Sequence, residues 1–313
     1  MRIMLTGGTG MLAGALVRAA ARVGSSHEIV AVTRRDADLT DAAATRALLE
    51  RVAPDMVVHT AARVGGIAAN IAQPAEFLMD NLRIDTNVLG GSRDAGITRA
   101  LYFGSSCMYP RDYRQPLVEG DVLAAPLEPT NEGYAISKIA AARYCEYVSR
   151  EYGLAYRVVI PSNLYGPGDD YTPGHSHLVA AALLKAHDAR ETGADSIDVW
   201  GDGTARREFT YTDDLADFVM TNIDRLEEWP VLMNVGQGVD HSVTEYYEAA
   251  LEVVGHAARL DYDRSKPVGM MQKLMDSTVA AGYGWMPRTT LLEGMRVAYA
   301  RYVDDHDKRE STR

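Results

Sequence analysis

The chain opens with Arg2-Ile3-Met4-Leu5-Thr6 and passes directly into Gly7-Gly8-Thr9-Gly10-Met11-Leu12-Ala13-Gly14. A short β-rich run, a glycine turn and a helix-forming stretch, in that order, predict the first unit of a doubly wound α/β fold. Glycine lets the backbone turn sharply and approach a pyrophosphate, which then rests at the helix N-terminus. The spacing Gly7-x-x-Gly10-x-x-Ala13 is a close variant of the dinucleotide fingerprint. Alanine in the third place tightens the contact between helix and strand. Such a cluster alone also occurs in turns that bind nothing, but its place between a strand and a helix favours the cofactor. Gly7, Gly10, Met11 and Leu12 are therefore candidate pyrophosphate contacts.

Outward from that turn, β-rich runs alternate with helical stretches. Strands are predicted at Ile3 to Thr6, Glu28 to Val32, Asp55 to His59, Leu101 to Gly104 and Tyr156 to Ile160. Helices are predicted at Met11 to Val23, Asp41 to Val52, Pro74 to Ala95 and Tyr134 to Tyr152. This alternation implies a parallel sheet covered on both faces. After Tyr165-Gly166-Pro167-Gly168-Asp169 the regularity decays. The expected organisation is a Rossmann domain over 1–164, to which segments around 205–236 return. A smaller α/β substrate lobe would be built from 165–204 and 237–303, and a frayed polar tail from 304–313.

The end of the second strand reads Thr33-Arg34-Arg35-Asp36-Ala37-Asp38-Leu39. An acid there suits the free ribose of NAD, whereas an arginine suits the extra phosphate of NADP. Arg34 and Arg35 favour NADP(H), with Asp38 and Leu39 near the adenine; two solvated loop arginines are the alternative. Further on, Tyr134-Ala135-Ile136-Ser137-Lys138 puts a phenol and an ammonium on one helix face. An ammonium beside a phenol favours proton exchange with a sugar hydroxyl or ketone. That pattern is common by chance, but Gly104-Ser105-Ser106-Cys107-Met108-Tyr109-Pro110 closes the fourth strand, where catalytic groups gather in such sheets.

The composition restricts the partners. The 313 residues carry a formal charge of -11, which argues against nucleic acid. The chain has no run of ~20 apolar residues, so no membrane span is expected. Two cysteines make no disulfide framework, and no leader is apparent at the N-terminus, so a reducing cytoplasm is expected.

These stretches resemble the extended short-chain dehydrogenases, along nearly the whole chain. Ala61-Ala62-Arg63-Val64-Gly65-Gly66-Ile67, Leu127-Glu128-Pro129-Thr130-Asn131, Asn163-Leu164-Tyr165-Gly166-Pro167, Ser176-His177 and Trp200-Gly201-Asp202-Gly203 carry the likeness further. Ser-Ser-Cys-x-Tyr-Pro together with Ser176-His177 is specific to a branch that epimerises and reduces nucleotide sugars. The resemblance implies that Cys107 is the base and His177 the acid of 3,5-epimerisation. Ser106 would hold the 4-keto oxygen, and Tyr134 would protonate it as hydride arrives, tuned by Lys138. It further implies that Ala61, Ala62, Pro161, Asn163, Leu164 and His177, together with Tyr134 and Lys138, line the NADP(H) site. Ser105, Ser106, Met108, Asn163, Lys185, Trp200 and Arg207 would meet a GDP-sugar, with Arg207 on the diphosphate.

Core packing is the alternative for Trp200, and Cys145, mid-helix, reads as a buried core residue. His175 and His177 lack the further ligands of a metal site, and none is expected. The resemblance also implies a homodimer through the two long helices. One departure bears on the sugar. Lys266-Pro267-Val268-Gly269-Met270-Met271-Gln272-Lys273 lacks the acid and the arginine usual in that segment. An epimerase or reductase acting on a different sugar nucleotide is therefore the alternative reading.

Overall fold

The computed structural model describes residues 1–266 and 268–310. Pro267 and Ser311-Thr312-Arg313 lie outside the described residues. The sheet strands are β1 (Arg2–Thr6), β2 (Glu28–Val32), β3 (Met56–His59), β4 (Arg99–Phe103) and β5 (Ala155–Pro161). Then come β6 (Asn163–Tyr165), β7 (Ser196–Trp200), β8 (Arg206–Arg207), β9 (Phe209–Tyr211), β10 (Leu232–Val235), β11 (His241–Ser242) and β12 (Arg259–Asp263). One six-stranded sheet runs in the order β10-β5-β4-β3-β1-β2 with every neighbour parallel. The chain leaves β1 to opposite sides for β2 and β3, and this topological switch opens a crevice above the glycine turn.

Helices α1 (Met11–Arg22), α2 (Ala42–Val52), α3 (Ile67–Ala72), α4 (Pro74–Asp85) and α5 (Gly91–Asp94) connect the first four strands. The long helix α6 (Glu132–Tyr152) leads into β5. The predicted helix from Pro74 to Ala95 is broken by a π-helical turn over Thr86–Gly90. Small residues Ala13, Ala15, Ala19 and Ala20 let α1 lie close on the sheet. Asp41 caps α2 by accepting from the Ala43 and Ala44 amides. Gly153, at φ 68°, ends α6 in the left-handed conformation glycine favours.

The second lobe uses α7 (Leu178–Thr192), α8 (Thr212–Asn222), α9 (Val243–Val254), α10 (Thr278–Gly282) and α11 (Leu291–Glu310). Tyr165, Leu183, Tyr246, Tyr247 and Met295 form its core. β10 and α8 belong with the sheet, where Asp213 accepts from Arg18 at 2.6 and 3.0 Å and from Arg22 at 2.8 Å.

Two boundaries differ from expectation. Ala280 and Trp285 join the core under the sheet, since the Trp285 indole N–H donates to the Gly236 carbonyl at 2.7 Å. Residues 237–303 are thus not all in the second lobe. The tail is not frayed from residue 304, because α11 continues to Glu310. His306 packs on His187 and Tyr302 there, with ring centroids 6.0 and 5.8 Å apart. Among the described residues, no helix is long and apolar enough to cross a membrane.

Candidate active site

The glycine turn meets the steric demands of a cofactor cradle. Gly7 has φ +70°, and a Cβ there would stand 3.0 Å from the Ala61 backbone. The Gly10 amide donates to the Gly7 carbonyl at 2.8 Å, closing the turn. No side chain caps α1, so its first amides face the crevice edge as an anion site requires. Ala61 and Ala62 follow β3 beside this turn, and the Ala61 amide donates to Thr6 Oγ1 at 3.1 Å. Arg34 and Arg35 are exposed; the Arg35 amide donates to Thr33 Oγ1 at 3.2 Å, and the Arg34 charge acts on Asp38. Asp38 is committed to its own turn, accepting from the Thr40 amide and hydroxyl at 2.9 and 2.8 Å. Those two bonds lower its pKa. The Leu39 carbonyl accepts from Asn87 Nδ2 at 2.9 Å.

On the other side of the crevice, α6 presents Tyr134 and Lys138. The Lys138 ammonium donates to the Phe103 carbonyl at 3.0 Å and lies 5.8 Å from the Tyr134 ring centroid. Burial pushes the Tyr134 phenol well above its ordinary pKa, and Cys107 adds to that, while the Ser105 hydroxyl works against it. A phenol that keeps its proton is suited to donate it. Burial lowers the Lys138 pKa, against the opposing pull of Asp85 and Cys107.

The serine that reaches the phenol is Ser105, not Ser106. Ser105 is extended, and its hydroxyl accepts from the Cys107 amide at 3.2 Å. A 3₁₀ turn over Ser106–Met108 begins at the next residue and buries Ser106. Ser106 Oγ is buried and has no hydrogen-bond partner among the described residues. Met108, expected at the substrate, is 0% exposed and packs with Tyr109 and Ile160 in the core.

Cys107 stays partly accessible. Its sulfur accepts from Asn131 Nδ2 at 3.1 Å and lies 3.8 Å from the Lys273 ammonium. A donor and a cation aimed at one sulfur suit a group that gains negative charge. His177 begins α7. It is open to solvent yet ringed by protein, as on a cleft wall; that crowding and then the Lys273 charge lower its pKa. Lys273 thus acts on both groups and is only 7% exposed. Asn131 and Lys273 were missed in the sequence. Lys273 lies in the segment whose departures drew attention, and no spacing signal ties it to a cysteine 166 positions away.

Arg207 donates to the Arg206 and Val268 carbonyls at 2.8 and 2.9 Å. It also interacts with Glu128 and Cys107. The divergent segment therefore braces the expected diphosphate arginine. Trp200 is 40% exposed, which rules out core packing, and the Lys266 ammonium sits 5.6 Å from its ring centroid. Lys185 is not a free cation: Asp198 holds it through its carboxylate and carbonyl, both at 2.8 Å. Such an exposed pair is worth about 0–1 kcal/mol, so an incoming phosphate has little to displace. Pro161 is the last residue of β5, and Asn163 and Leu164 open β6. Cys145 is buried, and among the described residues no three metal-ligating side chains cluster.

A doubly wound sheet with a glycine cradle and a Tyr–Lys pair across its switch point defines a dinucleotide-dependent enzyme. The chain belongs to the NAD dependent epimerase/dehydratase family, whose model matches residues 3–236. It is an enzyme of the epimerase/reductase type. It is 42% identical to the GDP-L-fucose synthase of Azorhizobium caulinodans over 98% of this chain and 97% of that one. It is 40% identical to the GDP-L-colitose synthase of Yersinia pseudotuberculosis over 94% and 96%. The structure of a GDP-mannoheptose C4 reductase from Campylobacter jejuni with NADP bound superposes with a TM-score of 0.86. That pair is 29% identical and covers 96% and 98% of the two chains.

Proposed function

We propose that the protein epimerises C3 and C5 of GDP-4-keto-6-deoxy-D-mannose and then reduces C4 with NADPH, forming GDP-L-fucose. The observation that carries this reading is Cys107. An accessible sulfur flanked by Asn131 and Lys273, beside the Tyr134–Lys138 pair, adds a second proton-transfer group that a simple reductase does not need. Cys107 removes the proton α to the ketone and His177 returns one on the opposite face. Ser105 and Tyr134 hold the keto oxygen, and Tyr134 delivers its proton there. Lys138 keeps Tyr134 oriented, and Arg207 meets the diphosphate. NADPH, when bound, supplies the hydride to C4, and Arg34 and Arg35 favour it over NADH. The names of the relatives support a GDP-sugar. The exposed apolar residues Met79, Ile136 and Tyr147 on α4 and α6 support a homodimer.

The test is incubation with GDP-4-keto-6-deoxy-D-mannose and NADPH in D₂O. Loss of NADPH with deuterium at C3 and C5 of the product is expected, and Cys107→Ser should abolish the deuterium. Reduction without deuterium in the wild type would leave a plain 4-reductase.

A second reading is favoured by one feature. Val268 and Gln272 stand where an acid and an arginine are usual, and Gln272 Nε2 is turned to Asp240 at 2.6 Å. A GDP-sugar with a different ring substituent is the alternative substrate, distinguished by comparing kcat/KM across GDP-keto sugars.

A further inference from the structure

Beneath the Tyr–Lys pair lies a buried polar chain that the reaction above does not use. Thr6 on β1 is in register with His59 on β3, and His59 with Tyr102 on β4. Three adjacent strands thus put one polar side chain each in a single row, all at most 1% exposed. Asp85, the last residue of α4, closes the row and is 3% exposed. Its carboxylate accepts from the Tyr102 hydroxyl at 2.8 Å and bonds His59 Nε2 at 3.0 Å. The π-helical turn begins at the next residue. Such turns re-aim side chains and often mark functional sites.

Hydrogen-bond accounting sets the charges. Thr6 Oγ1 already accepts from the Thr60 and Ala61 amides at 3.2 and 3.1 Å. Its one proton therefore goes to His59 Nδ1, 2.7 Å away. His59 is then neutral, with its remaining proton on Nε2 donated to Asp85. Asp85 thus receives only neutral donors, and a buried carboxylate without a cation is costly. The cation is close by. The Lys138 ammonium lies 4.6 Å from the centroid of the Tyr102 ring, the ring whose hydroxyl Asp85 holds. A phenol donating to a carboxylate has an electron-richer face, which attracts an ammonium more strongly.

We propose that Asp85, acting through Tyr102, is a positioning residue that holds Lys138 as an ammonium under Tyr134. The proposal deepens the function above and rests on it for its catalytic meaning. The groups facing Lys138 are the Phe103 carbonyl, the Tyr102 and Tyr134 rings, Asp85 and Cys107. Those facing Asp85 are Tyr102, His59, Lys138, Tyr134 and the buried thiol of Cys145. Burial works against the ammonium, and Asp85 opposes that effect.

The test follows the side-chain nitrogen of ¹⁵N-lysine by NMR against pH, with Lys138 assigned by its absence in Lys138→Met. In the wild type the Lys138 nitrogen should be an ammonium at the pH at which the enzyme is assayed; a neutral amine there overturns the proposal. In Asp85→Asn its midpoint should fall by at least about half a unit. The alkaline limb of kcat for the GDP-keto sugar should move with it, costing roughly threefold or more at a fixed pH on that limb. Asp85→Glu, which keeps the charge, should restore both. Tyr102→Phe with Asp85→Leu removes donor and acceptor together and serves if Asp85→Asn does not fold. An unmoved midpoint in either folded variant overturns the proposal, as does a uniform loss of kcat with an unshifted limb. Wild-type protein that turns over no GDP-keto sugar would defeat the proposed function instead, and the titration would still judge Asp85.

Discussion

At Ser105 and Ser106, one position along the chain separates two different roles. Both are serines at a strand end, and nothing in their chemistry ranks them. The backbone does: extended geometry at Ser105 and a 3₁₀ turn from Ser106 turn one hydroxyl to Tyr134 and bury the other. Ser105→Ala is therefore expected to lower kcat for NADPH oxidation about 10²-fold, the usual cost of losing a donor to a developing oxyanion. Ser106→Ala should cost less than about tenfold, since its buried hydroxyl has no partner to strand. A larger fall for Ser106→Ala, by steady-state kinetics, would return the keto oxygen to Ser106. Lys273 teaches the same lesson from the opposite direction. Its contact with Cys107 depends on a chain return that no local pattern announces.

Among the elements, Glu208 ties the short strands of the second lobe to the main sheet. It stands between β8 and β9, and its carboxylate accepts from the Gly238 amide at 2.6 Å and the Met275 amide at 2.9 Å. Burial raises its pKa from the usual 4.5 to about 7, against the pull of these two amides. The folded state thus holds a proton that the unfolded chain releases at lower pH. The stability this contributes is complete below about 4.5 and lost as pH rises through about 7. Glu208→Gln has no such dependence. The melting temperature of Glu208→Gln minus that of the wild type should therefore grow between about pH 5 and pH 8. A difference constant across that range, by thermal unfolding, would contradict the assignment. Neighbouring elements explain why Trp285 lies outside the lobe expected from the sequence. Its segment has no strand signal, and its bond to Gly236 and its edge-on contact with Phe218, with ring centroids 5.6 Å apart, bring it under the sheet.

For the whole molecule, the outer faces of α4 and α6 remain to be covered. Ile136 and Tyr147 are 42% and 48% exposed, and eleven residues on a helix return to nearly the same side. Sedimentation velocity at micromolar concentration should show a dimer, and Tyr147→Arg on that face should shift it to monomer. A wild-type monomer would reject the interface. Such a variant should keep its NADPH affinity, because the cofactor crevice lies at the carboxyl ends of the strands.

The alternation of strand and helix, the glycine turn and the Tyr-x-x-x-Lys pair could be read directly because each depends on residues within a few positions of one another. Steric and hydrogen-bond rules of that range act before the chain is folded. The choice of Ser105, the bracing of Arg207 by Val268, the pairing of Cys107 with Lys273 and the row from Thr6 to Asp85 could not be read in this way. Each joins residues whose approach is set by sheet register and by segments returning from far along the chain. Distance and burial, which determine charge and proton transfer, exist only once those segments are packed together.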